Sequence, residues 1–362
     1  MTEPLPIDFV ETDEPAYRPP CLLSGEQLDV YVINPRSGDD RSYLSDIRQT
    51  IALAGAQGAT GILCFSGNDT QVDPWLTASL VASTPRRGGG QLTPLVALNP
   101  NTMPPFTAAK MISSIEQLHG AHVALNLITG VSSRDREVLN DLIGPDERYD
   151  RLVEYATIVT RLLSDARPVS FDGRYFRLLG GQLLPRSRRH LAPELFLAGH
   201  SEGADRAAGS LGAKRLRMLA PDFKVFPDVA GQVPALHLGI VTRRHSEEAW
   251  QAARQRYATS REREEVLRAT LRHSDSDWKR RQFELAASHR DSGAFWLDPF
   301  RAFLSDCPYL VGSHEEVAEI VAGLLAQNVR TLVLDIAPDE QEFANVAEML
   351  DRARGLHARS RP

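Results

Sequence analysis

The chain has 362 residues, of which 42% are hydrophobic and 24% are charged, and its formal net charge is -6 at pH 7. This length can bury one large core or two ordinary ones, and the composition is typical of a globular protein in water. The negative charge and the lack of a long basic tract argue against nucleic acid as the main partner. Three cysteines at wide, unpatterned spacing argue against a disulfide framework or a zinc site and favour a reducing compartment: Cys21, Cys64 and Cys307.

The N-terminal segment, Met1 to Pro20, is acidic and rich in proline and has no apolar centre, so it predicts neither a signal peptide nor a membrane anchor. No apolar run in the sequence approaches the roughly 20 residues that a membrane-spanning helix needs. We therefore expect a cytoplasmic protein without membrane contact. The predicted organisation is an N-terminal extension over 1–25, one domain over 26–354 and a C-terminal tail over 355–362.

Within this domain, strand-like and helix-like segments alternate along the chain. Short apolar runs predict eight strands, over 28–33, 61–65, 92–98, 122–130, 194–197, 215–219, 235–241 and 331–336. Segments with apolar residues at helical spacing separate them, so we expect a (β/α)8 TIM barrel. The alternative is an open doubly wound sheet. However, Asn34-Pro-Arg-Ser-Gly-Asp39 after the first strand is not the glycine-rich turn with which such sheets bind dinucleotides.

Local signals define several of the predicted helices. Pro74 and Pro145 stand where helices begin, and Ser313 with Glu316 forms a capping box before an apolar stripe. The third helix is predicted to bury a stripe that ends at Leu118.

Two stretches depart from simple alternation. Phe171-Asp-Gly173 predicts a hairpin turn. Residues 246–307 are rich in Arg, Glu, Gln and Ala over their first part and predict a helical insertion. We expect residues 260–307 to form a mobile lid in which Phe295 and Trp296 fold over the barrel mouth when ligands bind.

In a TIM barrel, the active site lies at the C-terminal ends of the strands, and two of these ends carry informative polar residues. Asn126 interrupts an apolar strand, and a buried amide needs a hydrogen-bond partner, which can be a ligand or a neighbouring strand or loop. The turn Gly199-His-Ser201 leads into a helix, where backbone N–H groups and a hydroxyl can bind a phosphate. The alternative is that Ser201 only caps the helix.

Five segments, in this order and spacing, resemble the bacterial luciferase-like, flavin-dependent monooxygenases, above all their alkanesulfonate monooxygenase branch: Gly58-Ala-Thr-Gly-Ile-Leu63, Asn126-Leu-Ile-Thr-Gly130, Asp146-Glu-Arg-Tyr149, Phe171-Asp-Gly-Arg-Tyr175 and Gly199-His-Ser201. The family has the barrel that the periodicity predicts. The resemblance implies an oxidoreductase that takes reduced FMN from a separate flavin reductase. With O2, by way of a flavin C4a-peroxide, it would insert one oxygen atom into an organic substrate. We also expect a homo-oligomer, either a dimer or a tetramer.

The resemblance also implies, position by position, the residues that bind the cofactor: Ser66, Asn126, Thr129, Tyr149, Gly199, His200 and Ser201. Gly199 and Ser201 would hold the FMN phosphate, and His200 stands where relatives often have a second serine. Asn126 and Thr129 would line the ring system and the ribityl chain, and Tyr149 would reach the flavin from the start of its helix. The alternatives are that Tyr149 packs under the preceding loop and that Thr129 merely ends its strand.

The substrate side of the chain departs from the sulfonate enzymes. Those relatives carry a cysteine after the second strand, where this chain has Asp69-Thr-Gln-Val-Asp73, and they carry a histidine and a late tyrosine in place of Gly239 and Ala337. We therefore expect a roomier pocket and a larger, mostly apolar substrate, either a free small molecule or one borne by a carrier protein, and no alkanesulfonate cleavage. Two further segments are similar to family members found with peptide and polyketide assembly lines: Asp73-Pro-Trp75 and Cys307-Pro-Tyr-Leu-Val-Gly312. This similarity implies a tailoring step in secondary metabolism.

His237 and Arg217 are polar residues on otherwise apolar strands, and we take them as the candidate catalytic residues. His237 shares a strand face with Gly239, so it could point into the barrel. The alternatives are a satisfied core histidine and, for Arg217, a buried ion pair with Asp222 or an anionic substrate group as its partner. Two other functions remain open on the same barrel: deazaflavin (F420)-dependent hydride transfer, and a non-catalytic role in binding a partner.

Overall fold

A computed structural model describes residues 22–25, 28–35, 42–65, 72–130, 133–184, 192–228, 231–258, 260–272, 277–288 and 293–360. Ser66, the N-terminal segment and the first residues of the segment that replaces the sulfonate enzymes' cysteine lie outside these ranges. The strands are β1 (Asp29–Ile33), β2 (Gly61–Cys64), β3 (Thr93–Leu98), β4 (Ala124–Leu127), β5 (Val169–Asp172), β6 (Arg177–Gly181), β7 (Leu195–Ala198), β8 (Lys214–Met218), β9 (Ala235–Arg243), β10 (Phe295–Trp296), β11 (Tyr309–Ser313) and β12 (Thr331–Asp335).

The helices connect these strands along the chain and are distributed around the sheet. They are α1 (Tyr43–Ala56), α2 (Pro74–Ala82), α3 (Pro105–His119), α4 (Ser133–Val138), α5 (Pro145–Ser164), α6 (Glu202–Leu211), α7 (Ser246–Arg256), α8 (Arg261–Arg272), α9 (Asp277–Ser288), α10 (Asp298–Arg301), α11 (His314–Ala326) and α12 (Glu340–Arg359). In the described part of the chain, no helix combines the length and hydropathy required to cross a membrane.

Eight parallel strands close into a ring in the order β1, β2, β3, β4, β7, β8, β9 and β12, and β12 pairs with β1 to complete it. All eight predicted strands are found in this ring, which confirms the (β/α)8 barrel. The predicted hairpin is also confirmed, since β5 and β6 pair antiparallel around Gly173.

The two faces of the barrel strands build two apolar cores. Side chains that alternate along the strands fill the barrel interior, among them Tyr31, Leu63, Leu95, Ala124, Phe196 and Val333. The residues between them face the surrounding helices and join a larger core. Burial on both faces explains why the strands read as nearly continuous apolar runs in the sequence.

Caps fix the starts of several helices where the sequence predicts them. The carboxylate of Asp73 accepts a hydrogen bond from the Trp75 N–H at 2.8 Å at the start of α2. Ser313 and Glu316 form the predicted capping box of α11. The predicted stripe of α3 is wrong at its end, because Leu118 is 76% exposed. Ile115 is the last apolar residue of α3 that packs on the core, and the helix ends at Gly120 in the left-handed conformation.

The C-terminal half of β9 leaves the barrel and builds a second sheet edge. Residues from Gly239 to Arg243 pair with β11, and β10 pairs antiparallel with β11. The helical insertion predicted over 246–307 therefore contains a strand, β10, and β11 is a strand that the apolar runs did not predict. Phe295 and Trp296 are each 1% exposed, which argues against the expectation that they form part of a mobile lid. Strand pairing and apolar burial hold them in place.

Candidate functional site

Asn126 lies on the interior face of the barrel. It is two residues from Ala124, which belongs to the interior core, and side chains on a strand alternate between faces. Asn126 is 5% exposed, and within the described residues its buried Oδ1 accepts no hydrogen bond. An unpaired amide oxygen in a core is destabilising, so this atom suits a hydrogen-bond donor supplied by a ligand. Thr129 follows two residues beyond the end of β4 and is half-buried.

The turn from β7 into α6 lies on the neighbouring strand, because β7 pairs directly with β4. Gly199 has a φ of 120°, and a Cβ atom at this position would lie 2.8 Å from the Tyr149 hydroxyl oxygen. Only glycine combines that backbone with such close contact. The structure thus brings Tyr149, near the start of α5, against the predicted phosphate turn.

Ser201 is the N-cap of α6, and its Oγ accepts a hydrogen bond from the Ala204 N–H at 3.2 Å. The capping alternative is therefore observed, and it leaves other N–H groups at the helix start available for an anion. His200 is half-buried beside it and lines a cavity on the side towards β8.

Two arginines on β8 support this turn from the outer face of the barrel. Leu216 packs in the interior, so Arg215 and Arg217 lie on the opposite face. Arg215 is 1% exposed and donates a hydrogen bond to the carbonyl of Gly199, and its Nε lies 3.3 Å from Asp205 of α6. Burial lowers the pKa of Arg215. Arg215 was not among the predicted site residues, because a single cation in a strand forms no recognisable motif.

Arg217 donates a hydrogen bond to the Asp205 carboxylate at 3.1 Å. The predicted partner, Asp222, is wrong, since Asp222 pairs with Lys224 instead at 3.9 Å. His237 lies on the neighbouring strand and shares the interior face with Ala235. It is 6% exposed. The two candidate catalytic residues therefore lie on opposite faces of adjacent strands, and only His237 is placed to act inside the barrel.

The space above Gly239 is filled by an aromatic ring. Tyr309 on β11 pairs with Gly239, and a Cβ atom at Gly239 would overlap the Tyr309 ring. The Tyr309 hydroxyl lies 2.7 Å from that of Tyr257, and burial raises the pKa of both phenols. The expectation that Gly239 makes the pocket roomier is therefore wrong, because a side chain from another strand occupies the space.

Comparison with known proteins agrees with this architecture. A curated relative, the 4-(gamma-L-glutamylamino)butanoyl-[BtrI acyl-carrier protein] monooxygenase BtrO of Niallia circulans, is 29% identical over 321 residues, which are 85% of this chain and 91% of the relative. Among solved structures, DmoA from Hyphomicrobium sulfonivorans has a TM-score of 0.68 at 15% identity, covering 95% of this chain and 89% of the other. An F420-dependent secondary alcohol dehydrogenase has a TM-score of 0.62 at 13% identity, covering 91% and 99%.

At these identities the two solved structures agree with the chain in fold. The family model described as luciferase-like monooxygenase matches residues 30–331, which is most of the chain. The chain therefore belongs to the luciferase-like monooxygenase family.

Proposed function

We propose that the protein oxygenates an acyl group held on a carrier protein, using O2 and reduced FMN delivered by a separate flavin reductase. One oxygen atom enters the substrate, the other leaves as water, and FMNH2 is oxidised to FMN. The observation that carries this proposal is the Oδ1 of Asn126, which accepts no hydrogen bond within the described residues and lies on the strand next to the phosphate-type turn at Gly199. The match to BtrO supports the carrier-bound substrate.

The residues present fit FMN at both ends of the molecule. N–H groups at the start of α6, together with the Ser201 hydroxyl, would hold the phosphate, with Arg215 fixing the turn from below. Asn126 would form a hydrogen bond with the polar edge of the ring system. Thr129 and Tyr149 would contact the ribityl chain between the ring system and the phosphate. Reduced FMN, when bound, supplies the electrons with which O2 is activated.

The protein itself contributes orientation, exclusion of water and proton transfer. The interior below the site is filled with apolar side chains such as Phe196 and Val333, which keep water from the reacting atoms. His237 is the side chain that we place at the substrate, because it lies buried on the interior face and an imidazole can accept or donate a proton. The guanidinium of Arg217 is proposed to bind the carrier-bound substrate rather than to take part in the reaction.

The test is a reductase-coupled reaction under 18O2 with three substrate forms of the same acyl group: carrier-bound, coenzyme A-bound and free. We expect one 18O atom in the product and the fastest turnover with the carrier-bound form. The matched reaction in H2 18O with unlabelled O2 should give no label.

Three outcomes would contradict the proposal. Product formation without O2 when reduced F420 is supplied would indicate hydride transfer, the activity named for the dehydrogenase of the same fold. Sulfite release from a panel of alkanesulfonates would show the sulfonate cleavage that the sequence argues against. A chain that binds neither reduced cofactor would be a partner-binding barrel.

A further inference from the structure

A cavity of about 260 Å³ lies beside the phosphate-type turn, on the outer side of β8. Its walls come from the turn after β7, the end of β8, the segment between β8 and β9, the start of β9 and helix α9. They are mainly apolar and include Leu219, Val225, Leu236 and Leu285. Complete ligand sites span roughly 300–1,000 Å³, so a cavity of this size suits a slender part of a larger ligand.

Two polar side chains in this cavity carry buried atoms without a hydrogen bond. Gln282 of α9 is 7% exposed, and its Oε1 accepts no hydrogen bond within the described residues. Arg217 uses its terminal nitrogen for Asp205, whereas its buried Nε donates to no acceptor in the described part of the chain. One unused acceptor and one unused donor in an apolar channel match the N–H and C=O groups of an amide-containing chain.

Basic side chains surround the opening of the cavity. Lys224 and Arg281 both line it and are both exposed, and Arg280 is the exposed neighbour of Arg281 on α9. Lys224 pairs with Asp222 at 3.9 Å, and the two side chains are 67% and 55% exposed. Such an exposed pair is weak, so the rim remains favourable for a phosphate and for an acidic protein surface.

We propose that this cavity binds the phosphopantetheine arm of an acidic acyl carrier protein, an inference that rests on the proposed function above. The arm is slender, contains two amides and ends in a phosphate ester. Its amides match Gln282 and Arg217, and its phosphate matches the rim at Lys224 and Arg281. Because His200 belongs both to the cavity wall and to the turn at Gly199, the cavity runs up to the turn at which we place the FMN phosphate.

The first experiment removes the acceptor inside the cavity. Gln282→Leu keeps the side-chain volume and eliminates a buried unpaired oxygen, so the fold should be retained. We expect KM for a synthetic acyl-phosphopantetheine to rise at least fivefold, with kcat within twofold of the wild type. The affinity for reduced FMN should not change. An unchanged KM would contradict the assignment of the cavity.

The second experiment reverses charge at the rim. The double substitution Lys224→Glu with Arg281→Glu should raise KM for acyl-phosphopantetheine and for the acylated carrier protein at least tenfold. It should leave KM for acyl-pantetheine, which lacks the phosphate, within twofold. Lys110→Glu on α3 is the matched control, because Lys110 is exposed and does not line the cavity. Equal losses for the phosphorylated and unphosphorylated compounds would overturn the proposal.

Direct binding separates this inference from the proposed function. Calorimetric titration with acyl-phosphopantetheine needs no turnover. Binding that Gln282→Leu weakens, in a protein that incorporates no 18O, would keep the cavity assignment and refute the monooxygenase proposal for this substrate. Normal oxygenation of the carrier-bound acyl group, with no effect of either variant, would keep the monooxygenase proposal and refute the cavity assignment. A higher affinity for the coenzyme A thioester than for the acylated carrier would exclude the carrier protein as the source of the arm.

Discussion

Single residues at the C-terminal end of the barrel combine structural and binding roles. Gly199 accommodates both a left-handed backbone and the Tyr149 hydroxyl, and Ser201 caps the helix at which we place the FMN phosphate. A substitution at such a position changes stability and affinity together. Variants that preserve the structural role are therefore needed to isolate the binding role.

Ser201→Asp is such a variant, because aspartate is also a good N-cap. The added negative charge would lie where the phosphate binds. We expect the affinity for reduced FMN to fall at least tenfold, about 1.4 kcal/mol, while the affinity for reduced riboflavin, which has no phosphate, stays within twofold. Fluorescence titration of both cofactors provides the measurement.

The matched control is Ser313→Asp at the start of α11. Its Oγ accepts a hydrogen bond from the Glu316 N–H at 3.2 Å, the same capping distance as for Ser201. This variant should bind FMN like the wild type. Equal FMN affinity in Ser201→Asp and the wild type would remove the phosphate from this turn.

A second residue-scale prediction concerns Gly239, whose missing side chain makes room for the Tyr309 ring. The ring is held by Tyr257 and by Trp296 at an edge contact of 6.5 Å between centroids. Gly239→Ala should therefore lower the free energy of unfolding by about 1–3 kcal/mol. Chemical denaturation of the single and double variants measures the coupling: with Tyr309→Ala already present, Gly239→Ala should cost much less. Additive losses would show that the two residues do not interact.

At the scale of elements, a buried ion cluster joins three parts of the chain. Glu342, near the start of α12, is 2% exposed and accepts hydrogen bonds from Arg243 at the end of β9 and from Arg256 in α7, the latter at 2.6 Å. Burial alone would raise the pKa of Glu342, but the hydrogen bonds from both arginines outweigh it and lower the pKa. The cluster thus anchors β9, where it leaves the barrel, to the last helix.

Glu342→Gln should destabilise the protein at pH 7 by on the order of 3 kcal/mol, because it leaves two partly buried cations without their buried counter-charge. The pKa of Glu342 is lower in the folded protein than in the unfolded chain. The contribution of ionised Glu342 to the free energy of unfolding is therefore complete above the usual glutamate pKa. It is lost as the pH falls below about 4 and passes through the lowered pKa of the folded protein. Urea unfolding at several pH values measures this, and the gap between wild type and variant should narrow at low pH. A gap that is constant with pH would contradict an ionic role.

At the scale of the whole molecule, a rigid barrel carries a less tightly packed addition. Among the described side chains of α8 and α9, the buried apolar ones are Leu267 and Ala286. Arg301 of α10 connects to α9 through the carbonyl of Ala286. By contrast, β10 and β11 are paired, and all their residues except Ser313 are buried. Opening should therefore be confined to the two helices, and α9 forms one wall of the proposed arm cavity.

Hydrogen exchange can measure this difference within one molecule. Amides of α8 and α9 should exchange at least tenfold faster than those of α11 without ligand, because few apolar contacts hold them. They should slow when reduced FMN and acyl-phosphopantetheine are present. The segment from Phe295 to Ser313 should stay protected in both states. Protection of α8 and α9 equal to that of α11 without ligand would show that the addition does not open.

The sequence by itself determined the barrel and the ends of many of its elements. Strand periodicity, proline at helix starts and the Ser313–Glu316 capping box act over a few residues, and their physical effect is local. The turn at Gly199 and the interior position of His237 follow from the same local rules, because side chains alternate along a strand. The exposed Leu118 marks the limit of such rules, since helical spacing alone does not tell where a packing surface ends.

Only the tertiary structure decided which distant groups meet. Tyr309 covers Gly239, Asp205 rather than Asp222 pairs with Arg217, and Gln282 reaches the cavity beside β8. Each of these contacts joins elements that are far apart in the chain, and no local pattern encodes the register of β11 on β9 or the docking of α9. Such contacts depend on how complete elements pack together. The barrel could therefore be predicted from periodicity, whereas the shape and the unpaired polar atoms of its sites could not.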